Sequence, residues 1–204
     1  SYDGSNRITQ AKDNTGRTVG YIYDAGGRLW KVTDPANGVT EYTYDTSNRM
    51  LTTKDARNIV YLTNEYNSAG RVITQTQADN STYQIAYTLD ANDAITQADV
   101  TDPRGYVRRV TFNSDGYTTS ETLAVGTPEQ QTYTYGRQAS TNLLVSVTDP
   151  LNRVTSLTYD SLGNLASVTR LSGTSEAVTT TLTYEQTFSQ VATVVDALNH
   201  TSAF

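Results

Sequence analysis

Short stretches of the chain alternate between apolar or aromatic residues and β-branched polar ones. Tyr42-Thr43-Tyr44, Leu157-Thr158-Tyr159 and Leu182-Thr183-Tyr184 are the clearest, and Tyr21-Ile22-Tyr23 has the same aromatic spacing. A period of two predicts a half-buried strand with one apolar face and one β-branched face. The stretches that follow are less regular. Leu29 and Val32, like Leu165 and Val168, stand three apart, which predicts a β-bulge or a strand apolar on both faces.

The alternating stretches recur. Each ends in Tyr-Asp or a degraded form of it, at Tyr2, Tyr23, Tyr44, Tyr66, Leu89, Phe112, Tyr135, Tyr159 and Tyr184, in steps of 21 to 25 residues. Self-similarity at this period is the signature of a repeat array. Three residues after the second member comes a residue that tolerates positive φ, namely Asn6, Gly27, Asn48, Gly70, Asp93, Gly116 and Gly163. Arg7, Arg28, Arg49 and Arg71 follow the first four. The seventh and ninth repeats break this pattern, and a longer first turn is expected in both.

A second turn falls midway through the repeat. It reads Asp34-Pro35-Ala36-Asn37-Gly38, Asp102-Pro103-Arg104-Gly105 and Asp149-Pro150-Leu151-Asn152, with proline-free versions at Asp55 to Asn58 and Asp196 to Asn199. Proline presets φ early in such a turn, and Gly or Asn relieves strain at its end. Pro128 also lies between predicted strands. Each repeat is therefore two strands and two turns. A parallel β-helix coil uses a similar number of residues, but two strong reversals per repeat fit antiparallel hairpins better. Residues 1–204 are expected to form one all-β array of about nine repeats, with some 18 strands in a curved, spiralling sheet about 85 Å long.

Composition supports strands and narrows function. Fifteen tyrosines with abundant threonine and valine favour sheet. A hydrophobic fraction of 36% is modest for a globule, so aromatic rings are expected to supply much of the apolar contact. The net charge of −6 and the scattered Lys and Arg argue against a nucleic-acid partner. No apolar run approaches the roughly 20 residues of a membrane helix, so membrane insertion by this segment is not expected. With no cysteine there is neither a disulfide nor a thiolate metal site. The chain opens on Ser1-Tyr2-Asp3 and stops at Phe204 without punctuation, and both ends are expected to be cuts in a longer chain.

The phrase YDAGGRLWKVTDPANGVTEYTYD, Tyr23 to Asp45, closely resembles the YD repeat of the Rhs family. The resemblance covers essentially the whole chain and is weakest in the fifth and seventh repeats. That family includes bacterial Rhs polymorphic toxins, shell-forming components of insecticidal toxin complexes, wall-associated proteins and teneurins. The resemblance implies an antiparallel strip wound into a hollow shell that, in the toxins, encloses a C-terminal effector. It thus implies a secreted or cell-surface protein, of bacterial origin, whose main partner is the remainder of its own chain. A core segment, an autoproteolytic site and a toxin domain are not legible here. An adhesion or carbohydrate-binding module is the alternative, with cell-surface glycans as partner.

No catalytic, cofactor-binding or metal residue is expected, and no cofactor. His200, the only histidine, reads as a turn residue without a partner for Ser-His or metal chemistry. Asp90-Ala91-Asn92-Asp93 faintly suggests calcium but lacks the next ligand and the loop glycine. Asp24, Asp45 and Asp160 could supply a glycosidase pair, yet their equivalent positions favour binding turn amides. Tyr23, Tyr44, Tyr66, Phe112, Tyr135 and Tyr159 could form a sugar platform, but an aromatic ladder joining successive hairpins fits a per-repeat position better. Asn80-Ser81-Thr82 and Asn199-His200-Thr201 match glycosylation sequons.

Overall fold

The computed structural model describes residues 1–204. It is an open antiparallel sheet of 18 strands with no helix. The first strands are β1 (Gln10–Lys12), β2 (Thr18–Tyr23), β3 (Leu29–Thr33), β4 (Val39–Tyr44), β5 (Met50–Lys54) and β6 (Val60–Tyr66). They are followed by β7 (Val72–Gln77), β8 (Thr82–Leu89), β9 (Ile95–Thr101), β10 (Val107–Phe112), β11 (Thr118–Leu123) and β12 (Gln131–Arg137). The last are β13 (Leu144–Thr148), β14 (Val154–Tyr159), β15 (Leu165–Arg170), β16 (Val178–Tyr184), β17 (Val191–Val195) and β18 (Thr201–Ala203).

The chain divides into two compact units, Ser1–Ala86 with Val100–Gly105, and Tyr87–Asp99 with Tyr106–Phe204. In the first, each strand from β1 to β7 pairs antiparallel with its successor. In the second, the same holds from β10 to β17. The hairpin array read from the repeat is therefore the fold. Its connections are local, so strand order follows chain order.

The irregular stretches after the Tyr-Asp turns are bulges, as their spacing predicted. Tyr23 faces Leu29 and Ile22 faces Lys31, which leaves Trp30 as the extra residue. Leu51, Ile73, Thr119, Val145, Ala166 and Ala192 are the extra residues in the equivalent strands. Two residues on the bulged strand then oppose one on its partner, which sharpens local twist beside each turn.

Alternation along each strand gives the sheet two faces of different chemistry. Tyr21, Tyr23, Tyr42 and Tyr44 share one face by their period of two. The other carries paired hydroxyls, with Thr43 against Thr52 at 2.6 Å, Thr158 against Ser167 at 2.7 Å and Thr183 against Thr193 at 2.6 Å. Glu41 on that face is paired with both Lys31 and Lys54. No hydrophobic side chain is buried, and the only buried residues are the polar Thr53 and Asn64. Backbone pairing and half-covered side chains hold this sheet together in place of a closed core.

The seventh repeat departs from the sequence reading, which placed its anchor at Tyr135-Gly136. The residue that faces the first apolar residue after the turn is Arg137, opposite Leu144, just as Tyr23 faces Leu29 and Tyr159 faces Leu165. Tyr135 instead faces Val147, the position Tyr21 holds against Val32. The anchor thus slips by two residues. The longer first turns expected in repeats seven and nine are present: Gln138 N–H donates to Leu143 O and Glu185 N–H to Gln190 O, one residue further than in the regular turns.

Candidate functional site: the junctions between hairpins

The Tyr-Asp turns of regular length are each built around one carboxylate or amide. Asp3 Oδ1 accepts the N–H groups of Ser5 (2.9 Å) and Arg7 (3.0 Å), while Asp3 N–H donates to Arg7 O (2.9 Å) and Asn6 N–H to Asp3 O (3.1 Å). Three loop residues are enclosed, and the last takes positive φ, which lets the chain reverse with a bulge. The seven residues read for this role have φ between 60° and 85°. The midway turns use the same device. Asp34, Asp149 and Asp196 each accept two amides through Oδ1, with Asn37, Asn152 and Asn199 at positive φ.

The second carboxylate oxygen joins the turn to the next hairpin. Asp24 Oδ2 accepts Arg28 Nε–H at 2.7 Å, which orients the guanidinium. Arg28 Nη1 then donates to Asp45 O and to Asn48 Oδ1, both at 3.0 Å, in the following turn. Its guanidinium carbon lies 5.0 Å from the Tyr44 ring centroid, within range of a cation–π contact. Tyr44 returns the link, its hydroxyl donating to Leu29 O at 2.7 Å on the preceding hairpin. Asp-Arg in one repeat and Tyr-Asp in the next thus form a single clip.

The clip recurs. Arg7 stacks on Tyr23 and Arg49 on Tyr66, at 4.5 and 4.8 Å. Tyr23, Tyr66, Tyr159 and Tyr184 donate to Ile8, Met50, Leu144 and Leu165 carbonyls respectively. The Met50, Leu144 and Leu165 carbonyls each precede a bulged residue. Amide donors, with guanidinium support, hold Asp3, Asp24 and Asp45 below the usual carboxylate range; the leading donors are the Arg7, Arg28 and Arg49 backbones. Burial, with the Asp24 charge nearby, pushes the Tyr44 phenol up.

Several junctions depart from the rule, two of them with a substitute contact. In the sixth repeat Tyr117 stands where arginine would, and Arg137 of the next hairpin stacks on it at 5.2 Å while donating to Thr118 O at 2.9 Å. Ring and cation have exchanged hairpins. In the eighth repeat Asn164 replaces arginine, bonding Asp160 Oδ2 at 3.0 Å.

The other candidates fall into the same framework. His200 takes the arginine position of its turn, with Nδ1 3.0 Å from Asp196 Oδ2. Asp90 Oδ1 accepts the Asn92 and Ala94 amides, and Asp160 those of Leu162 and Asn164. Asn80 and Asn199 are left-handed turn residues. No group of three or more His, Asp or Glu side chains stands close enough to hold a metal ion. Tyr135 does not join the anchor row; its hydroxyl approaches Glu121 Oε2 at 3.4 Å.

One feature was legible but missed. Ala124-Val125-Gly126-Thr127 and Leu171-Ser172-Gly173-Thr174 form the same wide loop, with positive φ at the first and third positions. In each, the threonine Oγ1 donates to the first carbonyl, at 2.9 and 2.7 Å. The shared Gly-Thr-x-Glu phrase was the signal.

Among known families, the RHS Repeat model matches residues 2–39 and 140–175. No curated protein matches the chain significantly. Among solved structures, the chain is similar to TcdB2-TccC3 without its hypervariable C-terminal region, with a TM-score of 0.67 and 15% identity over 97% of this chain. It is similar also to TcdB2-TccC3-Cdc42, with a TM-score of 0.65 and 16% identity over 94%. It spans 12% of the length of either. At such identities the likeness establishes the fold.

Proposed function

This chain belongs to the Rhs/YD-repeat family, and on that premise we propose that it is a non-catalytic wall segment of a shell that encloses or scaffolds a toxin or effector domain. The single observation that carries this reading is the clip. In the Arg28–Tyr44 junction the Asp24 carboxylate holds the guanidinium, and guanidinium, ring and hydroxyl are all engaged across the two hairpins. Groups committed in this way strengthen a sheet one layer thick and leave little for a ligand. A shell wall needs that economy, because it must separate two spaces without a core of its own.

The partner in this reading is the remainder of the same polypeptide, in a secreted or cell-surface protein of bacterial origin. The glycan alternative needs open ring faces, and Arg7, Arg28 and Arg49 lie over Tyr23, Tyr44 and Tyr66. Limited proteolysis of the full-length protein tests the proposal. The segment following the array is expected to resist protease until the wall is opened by a double Arg28→Ala, Arg49→Ala substitution. Equal cleavage in both proteins would overturn encapsulation. Glycan binding by the intact array that is lost on ring substitution would favour the alternative.

A further inference from the structure

Eight asparagines take positive φ in this chain, and Asn37 alone is followed by glycine. The others precede Arg, Ile, Ser, Leu or His, whose side chains hinder approach of the next amide nitrogen to the asparagine carbonyl. Asn37 is exposed at the tip of the β3–β4 turn. We propose that Asn37-Gly38 is a spontaneous deamidation site of this protein, and that Asp34 guards it.

The step needs only water. Once Gly38 N loses its proton to solvent hydroxide, it attacks Asn37 Cγ. The N–Cγ bond forms, the Cγ–Nδ2 bond breaks and ammonia leaves. Water then opens the cyclic imide at either carbonyl, giving aspartate or isoaspartate. In the second product the main chain runs through Cβ and is one methylene longer. The bond from Asn37 N–H to Asp34 O, 3.0 Å long, could not then form with the same geometry. The turn joining β3 to β4 would become the ageing point of the array.

Asp34 opposes the first event. Its Oδ1 accepts Gly38 N–H at 2.8 Å, and its Oδ2 lies 2.6 Å from the position a Gly38 β-carbon would occupy. A carboxylate bonded to the protonated amide, and carrying like charge to the anion that must form, raises the cost of deprotonation. In the arginine turns Oδ2 is bound by the guanidinium, as Asp3 is by Arg7 at 2.8 Å. At Asp34 the glycine leaves no such partner, so guard and weak point arise from the same substitution of arginine by glycine.

Peptide mapping by mass spectrometry after incubation of the folded chain at mildly alkaline pH tests this. Conversion at Asn37 is expected to run well ahead of all seven other positive-φ asparagines. Gly38→Arg, which restores the Asp3–Arg7 arrangement, should bring Asn37 down to their level. Asp34→Asn keeps an amide-accepting oxygen, as Asn67 does for Ala69 and Arg71. Removing the charge should accelerate Asn37 about tenfold, the effect of roughly one pKa unit at the nitrogen, and leave the other sites unchanged. Equal rates at Asn37 and its counterparts in the folded chain would overturn the site. A slower Asp34→Asn variant, with its circular dichroism intact, would overturn the guard and mark Asp34 as the proton acceptor.

Discussion

Arg28 and Tyr44 sit on different hairpins, yet the guanidinium lies 5.0 Å from the ring centroid and the ring's hydroxyl donates back to Leu29 beside the arginine. The pair couples two repeats through both partners at once. Neighbour coupling is what stabilises repeat arrays in general, and here it has named atoms.

Replacing Arg28 should therefore weaken two turns. Arg28→Ala is expected to destabilise by about 1.5–3 kcal/mol, the range for hydrogen bonds to a charged group. Arg28→Lys should rescue little of this, because an ammonium cannot serve Asp24, Asp45 and the ring together. Denaturant melts of both variants decide it. A full rescue by lysine would show that charge alone matters.

Tyr44 separates hydroxyl from ring. Tyr44→Phe removes only the bond to Leu29 O and should cost about 0.5–1.5 kcal/mol. Tyr44→Ala also loses the half-buried ring and should cost more, but at or below the low end of the roughly 3–5 kcal/mol of a fully buried aromatic. Hydrogen exchange is expected to accelerate in β3 to β5 and to stay slow in β14 to β16. Uniform acceleration would contradict nearest-neighbour coupling.

Gly27 has φ of 80°, and a β-carbon there would meet Arg7 Nη1 at 3.0 Å. Gly27→Val should destabilise by about 1–3 kcal/mol, since a branched residue resists that conformation. Gly27→Asn should be mild, because Asn6 and Asn48 hold the same position at 60° and 64°. Thermal melts that place the two variants together would refute the left-handed turn.

Acid should loosen the array in one steep step. Asp3, Asp24, Asp45, Asp149 and Asp196 all have folded values below the ordinary one. A depressed value means the stabilisation is complete above the unfolded pKa of about 3.9 and is lost as pH falls through the folded values. Stability measured by urea melts should hold from neutrality to about pH 5 and drop below about pH 4. A loss beginning near pH 6 would point to other groups.

The sequence by itself determined the punctuation. Asn6, Gly27, Asn48, Gly70, Asp93, Gly116 and Gly163 were legible as turn residues because positive φ is a local demand that few side chains meet. The aspartates before them were legible for the same reason, since an Asp side chain binds amides two and four residues on without help from elsewhere. The bulges also showed, as a three-residue spacing between Leu29 and Val32.

Tertiary structure decided register and partnership. A period of two is unchanged by a slip of two residues, so Tyr133, Tyr135 and Arg137 all fit the pattern, and the longer turn from Gln138 to Leu143 chose Arg137 as anchor. Which hairpin Arg28 serves was equally hidden, because Asp45 lies 17 residues away and only strand pairing brings its carbonyl to 3.0 Å. The half-burial of Tyr23, Tyr44, Tyr66, Tyr159 and Tyr184 follows from the same source. Local residues set where the chain turns, while the absence of a second layer sets how much water each ring keeps.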